Sequence, residues 1–270
     1  MNTRNLTLLT DLYELTMMQG YFETQENETV IFDVFFRNNP NNGGYSIMAG
    51  LDQVIDYIKN LNFSYEDVDY LRGLGIFSED FLHYLSGFHF SGDIYAIPEG
   101  SVIFPKEPLL KIVAPIMEAQ LVETAILNII NHQCLIATKA SRVVYAAQGD
   151  GIMEFGLRRA QGPDAGLYGA RAAMIGGCVG TSNVLAGQMF DVPVIAYDST
   201  AIPGTLNGSG ILLEDKDPVF VAGCIDRVVR DKNLRQQMIE GERKRLKDFE
   251  YDSIAAMFKN YLNAFINRTK

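Results

Sequence analysis

From Met117 to Tyr197 helical stretches alternate with short apolar runs of strand character, and this alternation constrains the chain more than any other feature. The pattern predicts a strongly apolar helix over Met117–Ile130 and a second over Lys139–Gln148. A short strand follows at Gly151–Phe155, then helices at Leu167–Ile175 and Val184–Met189 and a strand at Val192–Tyr197. Strands separated by helices favour a parallel sheet or barrel, whose ligands sit beyond the strand C-termini. Upstream the texture is mixed. Asp11 with Glu14 three positions on resembles a capping box for a helix over 11–22. Thr29–Arg37 reads as a buried strand, Asn38–Gly44 as a turn, and Leu51 to Leu61 as a helix. Two shorter helices are expected near 65–74 and 78–87, and an antiparallel meander over Asp93–Ala114.

Composition excludes several classes. With 270 residues, 47% hydrophobic and 21% charged, the chain is long enough to bury a core. No apolar run reaches the length of a membrane helix, and Met1–Met18 has no basic region followed by an apolar block, so neither membrane insertion nor a secretory signal is expected. Cys134, Cys178 and Cys224 are scattered and never paired as C-x-x-C, which argues against a disulfide scaffold or a zinc site and for the cytoplasm. A net charge of −10 argues against nucleic acid and anionic lipid as partners. That charge is uneven: residues 1–193 carry 11 basic and 22 acidic side chains, residues 194–270 carry 12 and 11. The expected organisation is α/β: a mixed domain over 1–115, the first part of a barrel over 116–193, and a distinct segment over 194–270.

Two segments could carry chemistry. Glu154-Phe155-Gly156-Leu157-Arg158-Arg159-Ala160-Gln161-Gly162-Pro163-Asp164 delivers an aromatic ring, a glycine and two arginines from a strand end into a loop. Arginine suits bidentate contact with phosphate or carboxylate, although surface ion pairing would equally explain both guanidinium groups. Gly176 to Asn183 places small residues ahead of a helix, where backbone N–H groups can face a phosphate. A tight turn explains it as well.

The order and spacing of several motifs resemble the nicotinate phosphoribosyltransferase family. They are Thr10–Met17, Phe35-Phe36-Arg37, Gly43-Gly44-Tyr45, Pro98-Glu99-Gly100, Glu154–Gly162 and Ser182–Gly187. The resemblance spans residues 6–194. It implies a mixed N-terminal domain against an irregular α/β barrel, a homodimer with its active site at the interface, and transfer of phosphoribosyl pyrophosphate to nicotinate with ATP and Mg²⁺. Carried over by motif, Tyr13 and Phe155 would sandwich the pyridine ring, and Arg158 and Arg159 would hold the carboxylate or the ribose phosphate. Arg37 would reach phosphates across the dimer, with Gly177 and Thr181 also on the phosphate side. The related nicotinamide-using enzymes carry an acidic residue at the position of Ser182, so a neutral hydroxyl there implies nicotinate.

After Val192-Pro193-Val194 the resemblance changes. The family continues into a segment whose histidine is transiently phosphorylated; this chain reads Ile195-Ala196-Tyr197-Asp198-Ser199-Thr200. Its histidines, His83, His89 and His132, lie upstream of that position, so no catalytic residue is assigned, and no metal ligands are. Pro193–Pro203, Gly208–Leu213, Asp217-Pro218, Leu234-Arg235 and Arg245–Phe249 instead resemble the C-terminal, Rossmann-like end of retaining nucleotide-sugar glycosyltransferases. Gly204 stands where many of those enzymes place a ribose-binding glutamate. The chain therefore reads as a chimera with impaired transferase activity; a glycosyltransferase fragment and a non-catalytic nicotinate-binding remnant are the alternatives.

Overall fold

In the computed structural model the described residues are 5–197, 210–213, 217–250, 253–256 and 259–260. Asp198–Pro203, Gly204, Gly208 and Ser209, cited above, lie outside them. The chain divides into two compact units, Met1–Thr138 and Lys139–Lys270.

The first unit opens with α1 (Leu12–Thr24) and β1 (Thr29–Val34). β2 (Ser46–Ile47), α2 (Leu51–Lys59), α3 (Tyr65–Gly73) and α4 (Glu79–Ser86) follow, then β3 (Asp93–Ala96), β4 (Val102–Ile103) and β5 (Leu110–Pro115). The expected meander is not what forms. β5 is central in a β1-β5-β3 antiparallel sheet, while β4 leaves to pair with β2. The Pro98–Gly100 turn redirects the strand: Gly100 N–H donates to the Met48 carbonyl at 2.8 Å, and Met48 N–H to Ser101 at 2.9 Å. Glu99 in that turn accepts from Gly50 N–H at 2.6 Å and Leu51 N–H at 3.0 Å, capping α2 from a distant loop.

The capping box expected at Asp11 does not form either. Asp11 stands at the N-cap of α1 without a side-chain cap, and Glu14 is buried, turned towards Thr124. Hydroxyls inside the protein outcompete the local cap. The capping box lies instead at Ser64 and Asp67 of α3, which exchange bonds of 2.8 and 3.2 Å. The core gathers Leu15 and Met18 of α1, Phe81, Leu82 and Leu85 of α4, Leu110 and Ile112 of β5, and Leu121 and Ile126 from the following helix. Each fully buried side chain of this size contributes about 1.5–3 kcal/mol.

The two helices expected over 117–148 are one, α5 (Ile116–Ala146), 31 residues without glycine or proline. Its polar middle stays helical because it is hydrogen-bonded: Gln133 donates to Gln53 at 2.7 Å, and Thr138 Oγ1 accepts from Ile47 N–H at 2.9 Å.

The second unit carries β6 (Met153–Glu154), α6 (Pro163–Ile175), β7 (Gly180–Thr181), α7 (Val184–Phe190) and β8 (Ile195–Tyr197). β9 (Ile211–Leu213), α8 (Pro218–Arg230) and α9 (Lys232–Leu246) complete it. Among the described residues every pairing in this unit is parallel: β6 with β7, Thr181 with Val194, and β8 with β9. Parallel strands joined by helices are what the alternating sequence demands. Ile195, Leu213, Val228 and Met238 form a small core beneath β8 and β9. Among the described residues no helix is long and apolar enough to cross a membrane.

Candidate functional site

The sequence-predicted site residues fall in both units, and each group is built separately. In the first unit, Tyr13 lies in the first turn of α1 with 48% of its surface exposed. Its hydroxyl donates to Glu14 at 3.5 Å, which ties back the phenol end and leaves the ring accessible. Desolvation raises the Tyr13 pKa, with the Glu123, Glu14 and Asp11 carboxylates adding to the shift. Glu14 also accepts from Thr10 and, at 2.8 Å, from Thr124 of α5. Arg37 is exposed just past the end of β1. It borders a cavity of about 440 Å³ with Asp11, Phe35, Phe36, Thr124 and Asn128. Arg37 and the start of α1 thus share one concave surface.

In the second unit the chain leaves β6 at Glu154 and enters the loop. Phe155 is 54% exposed, and Arg158 and Arg159 are exposed on a 3-10 turn over Leu157–Arg159. Neither arginine forms an ion pair among the described residues. Gly162 adopts φ +99°, open to glycine, and Pro163 then starts α6. Next to the loop, Ser182 is half-buried and its N–H donates to the Glu154 carbonyl at 3.1 Å. Asn183 caps α7 by accepting from Ala186 N–H at 3.2 Å.

Thr181 and Gly177 face a different use from the one expected. Thr181 is fully buried, and its hydroxyl donates to Glu154 at 2.6 Å. Gly177 has φ +101° at the end of α6, where its N–H donates to Met174. The N–H groups of Gly176, Cys178, Val179, Thr181, Ser182 and Asn183 are likewise spent inside the protein. That is the tight-turn arrangement. Glu14, Glu154 and Asn183 lie within the quoted motifs but receive no site role from the sequence, and Asn183 is readable only as an N-cap type immediately before an apolar helix.

His83 and His89 are exposed, and His132 is half-buried on α5. Among the described residues no three His, Cys, Asp or Glu side chains are grouped to hold a metal.

An exposed aromatic ring and two exposed guanidinium groups thus stand together at the end of a parallel strand, and comparison with known proteins says what the chain resembles. Residues 8–131 match the nicotinate phosphoribosyltransferase (NAPRTase) N-terminal domain. The chain is 48% identical over 186 residues to nicotinate phosphoribosyltransferase pncB2 of Mycobacterium tuberculosis, covering 69% of this chain and 40% of that protein. It is 46% identical over 199 residues to nicotinate phosphoribosyltransferase of Bacillus subtilis, covering 73% and 41%. The chain thus spans about 40% of the length of these curated relatives. Among solved structures, human nicotinic acid phosphoribosyltransferase superposes with a TM-score of 0.66 at 34% identity, covering 73% of this chain and 40% of that one. Nicotinate-nucleotide pyrophosphorylase from Pyrococcus furiosus shares the fold, with a TM-score of 0.59 at 22% identity over 92% of this chain and 64% of that one.

Proposed function

We propose that this chain is of the nicotinate phosphoribosyltransferase type, acting on nicotinate and phosphoribosyl pyrophosphate in pyridine nucleotide synthesis in the cytoplasm. The single observation that carries the proposal is the exposed Phe155-Gly156-Leu157-Arg158-Arg159 turn at the end of a parallel strand, within a chain 48% identical to a named nicotinate phosphoribosyltransferase. In this reading Phe155 stacks on the pyridine ring, a pair worth about 0.5–1.5 kcal/mol beyond area burial; the Tyr13 ring, exposed in the first unit, takes its stacking role from the resemblance alone. Arg158 and Arg159 neutralise the carboxylate or the ribose phosphate, and Arg37 binds phosphate across a homodimer. The ring nitrogen attacks C1 of the ribose and the diphosphate departs, with guanidinium groups balancing the leaving charge. Ser182 admits the acid where a carboxylate would repel it.

ATP and Mg²⁺ enter this reading by resemblance alone. Among the described residues no three His, Cys, Asp or Glu side chains are grouped for a resident metal. ATP-driven coupling needs a phosphorylated histidine after the β8 position, and the sequence there is Ile195 to Thr200. Transfer is therefore slow and insensitive to ATP. The 194–270 segment we read as a glycosyltransferase-like strand–loop–helix joined at Val192–Val194. Parallel pairing of β8 with β9, and the Asp217 carboxylate accepting two N–H groups at 3.0 Å to cap α8, support that reading. Such a segment supplies no complete donor and acceptor cleft.

Incubating the chain with nicotinate and phosphoribosyl pyrophosphate, with and without ATP, tests the proposal. Slow nicotinate mononucleotide formation that ATP does not accelerate is expected. Rapid, ATP-stimulated turnover contradicts the account of 195–200, and transfer of a nucleotide sugar contradicts the assignment altogether.

A further inference from the structure

We infer that Glu154 is a positioning residue that fixes the Phe155–Arg159 turn against the Thr181–Asn183 segment. The inference rests on the reading that this turn takes the ligand. Glu154 ends β6, yet its carboxylate is directed at the protein. Oε2 accepts from the Thr181 hydroxyl at 2.6 Å, and Oε1 accepts from the Gly156 N–H at the mouth of the turn. Its backbone carbonyl accepts from Ser182 N–H at 3.1 Å.

The roles on Thr181 follow from its single hydroxyl hydrogen. It donates to Glu154, and a lone pair accepts the Asn183 N–H at 3.0 Å. Asn183 extends the chain of bonds, donating to the Gly166 carbonyl of α6 at 3.2 Å while capping α7. One carboxylate is therefore the node between the turn that carries Phe155, Arg158 and Arg159 and the segment that carries Ser182. Both oxygens accept, which a carboxylate can do and a glutamine amide, with one acceptor oxygen, cannot. Gly156 completes the arrangement, because a Cβ there would stand 2.7 Å from Glu154 Oε1. Two adjacent exposed arginines without ion-pair partners among the described residues would otherwise leave the turn loosely held, and loose placement of a binding group is costly.

Two readouts on the full chain test this: trypsin cleavage after Arg158 and Arg159, and nicotinate affinity by titration calorimetry. Glu154→Gln and Thr181→Val should each accelerate cleavage at the turn, relative to cleavage at Arg171 in α6, and weaken nicotinate binding by about tenfold. The double variant should be no worse than the worse single, and Thr181→Ser should restore both readouts. Acceleration equal at Arg171 and at the turn would make Glu154 a general stabiliser and overturn the inference. So would wild-type cleavage and affinity in Glu154→Gln alongside lost binding in Phe155→Ala, a result that leaves the ligand site standing. Unchanged nicotinate binding in Phe155→Ala overturns the site reading instead, while faster cleavage at the turn in Glu154→Gln would still support Glu154 as what holds it.

Discussion

Thr124 donates its hydroxyl to the Glu14 carboxylate at 2.8 Å, which fastens α5 to the first turn of α1 one residue from Tyr13. Glu14 is completely buried, so the bond operates where an unpaired acceptor is expensive. Thr124→Val keeps the shape and removes the donor. It should cost about 1.5–3 kcal/mol, the range for hydrogen bonds to charged groups, read as a lower urea midpoint at unchanged m-value.

Gly156 has an ordinary φ of −83°, so backbone strain does not explain a glycine there. The approach of the Glu154 carboxylate does. Gly156→Ala should turn that carboxylate aside with little loss of stability, within about 1 kcal/mol in a thermal melt, because the obstructing oxygen is the far end of a flexible side chain. In a Glu154→Ala background the substitution should cost nothing, because that oxygen is gone.

Glu242 on α9 accepts from Val194 N–H at 3.2 Å. Burial pushes its carboxyl up to about 8, the Asp191 carboxylate adds to this, and the Val194 bond opposes it. Arg243 offsets part of the Asp191 charge through an ion pair of 2.5 Å. A folded-state value above the unfolded one means that stability is fully present below the ordinary carboxylate range and is lost as pH rises through about 8. The wild-type melting temperature should fall between about pH 5 and about pH 8.5 more steeply than that of Glu242→Gln. Equal slopes would show that Glu242 titrates as an exposed carboxylate.

Burial pushes the Cys134 thiol up to about 12 and the Cys178 thiol up to about 11, with Glu154 adding to the latter. Thiols are the unreactive form. Iodoacetamide at about pH 7.5 should therefore leave both unmodified in the native protein and alkylate both in denaturant, as mass spectrometry reads directly.

Local pattern made much of the architecture legible. Periodicity locates α2 and β-branched residues locate β1, because those signals are carried by neighbours in sequence, but β1 ends at Val34 and only Val34 of it is buried, against the buried strand expected to Arg37. What failed depended on distant partners. Glu14 reads as a cap until Thr124 is placed beside it, and the polar run after Ile130 reads as a helix break until Ile47 and Gln53 supply its hydrogen bonds. β4 reads as part of a meander because nothing local reveals that the Met48 carbonyl receives the Gly100 N–H. At the candidate site, motif spacing singles out Phe155, Arg158 and Arg159, and all three are exposed. It could not reveal that Thr181 faces inward, since that depends on which side of β7 meets Glu154.

The account stands on preference for an aromatic acid over its amide. Titration calorimetry of the full chain with nicotinate and with nicotinamide, repeated for Ser182→Asp, measures it. Nicotinate should bind the unaltered chain more tightly, by about tenfold or more, and Ser182→Asp should reverse that order by placing a carboxylate against the ligand's own. Tighter nicotinamide binding to the unaltered chain, or no heat with either compound, would contradict the account.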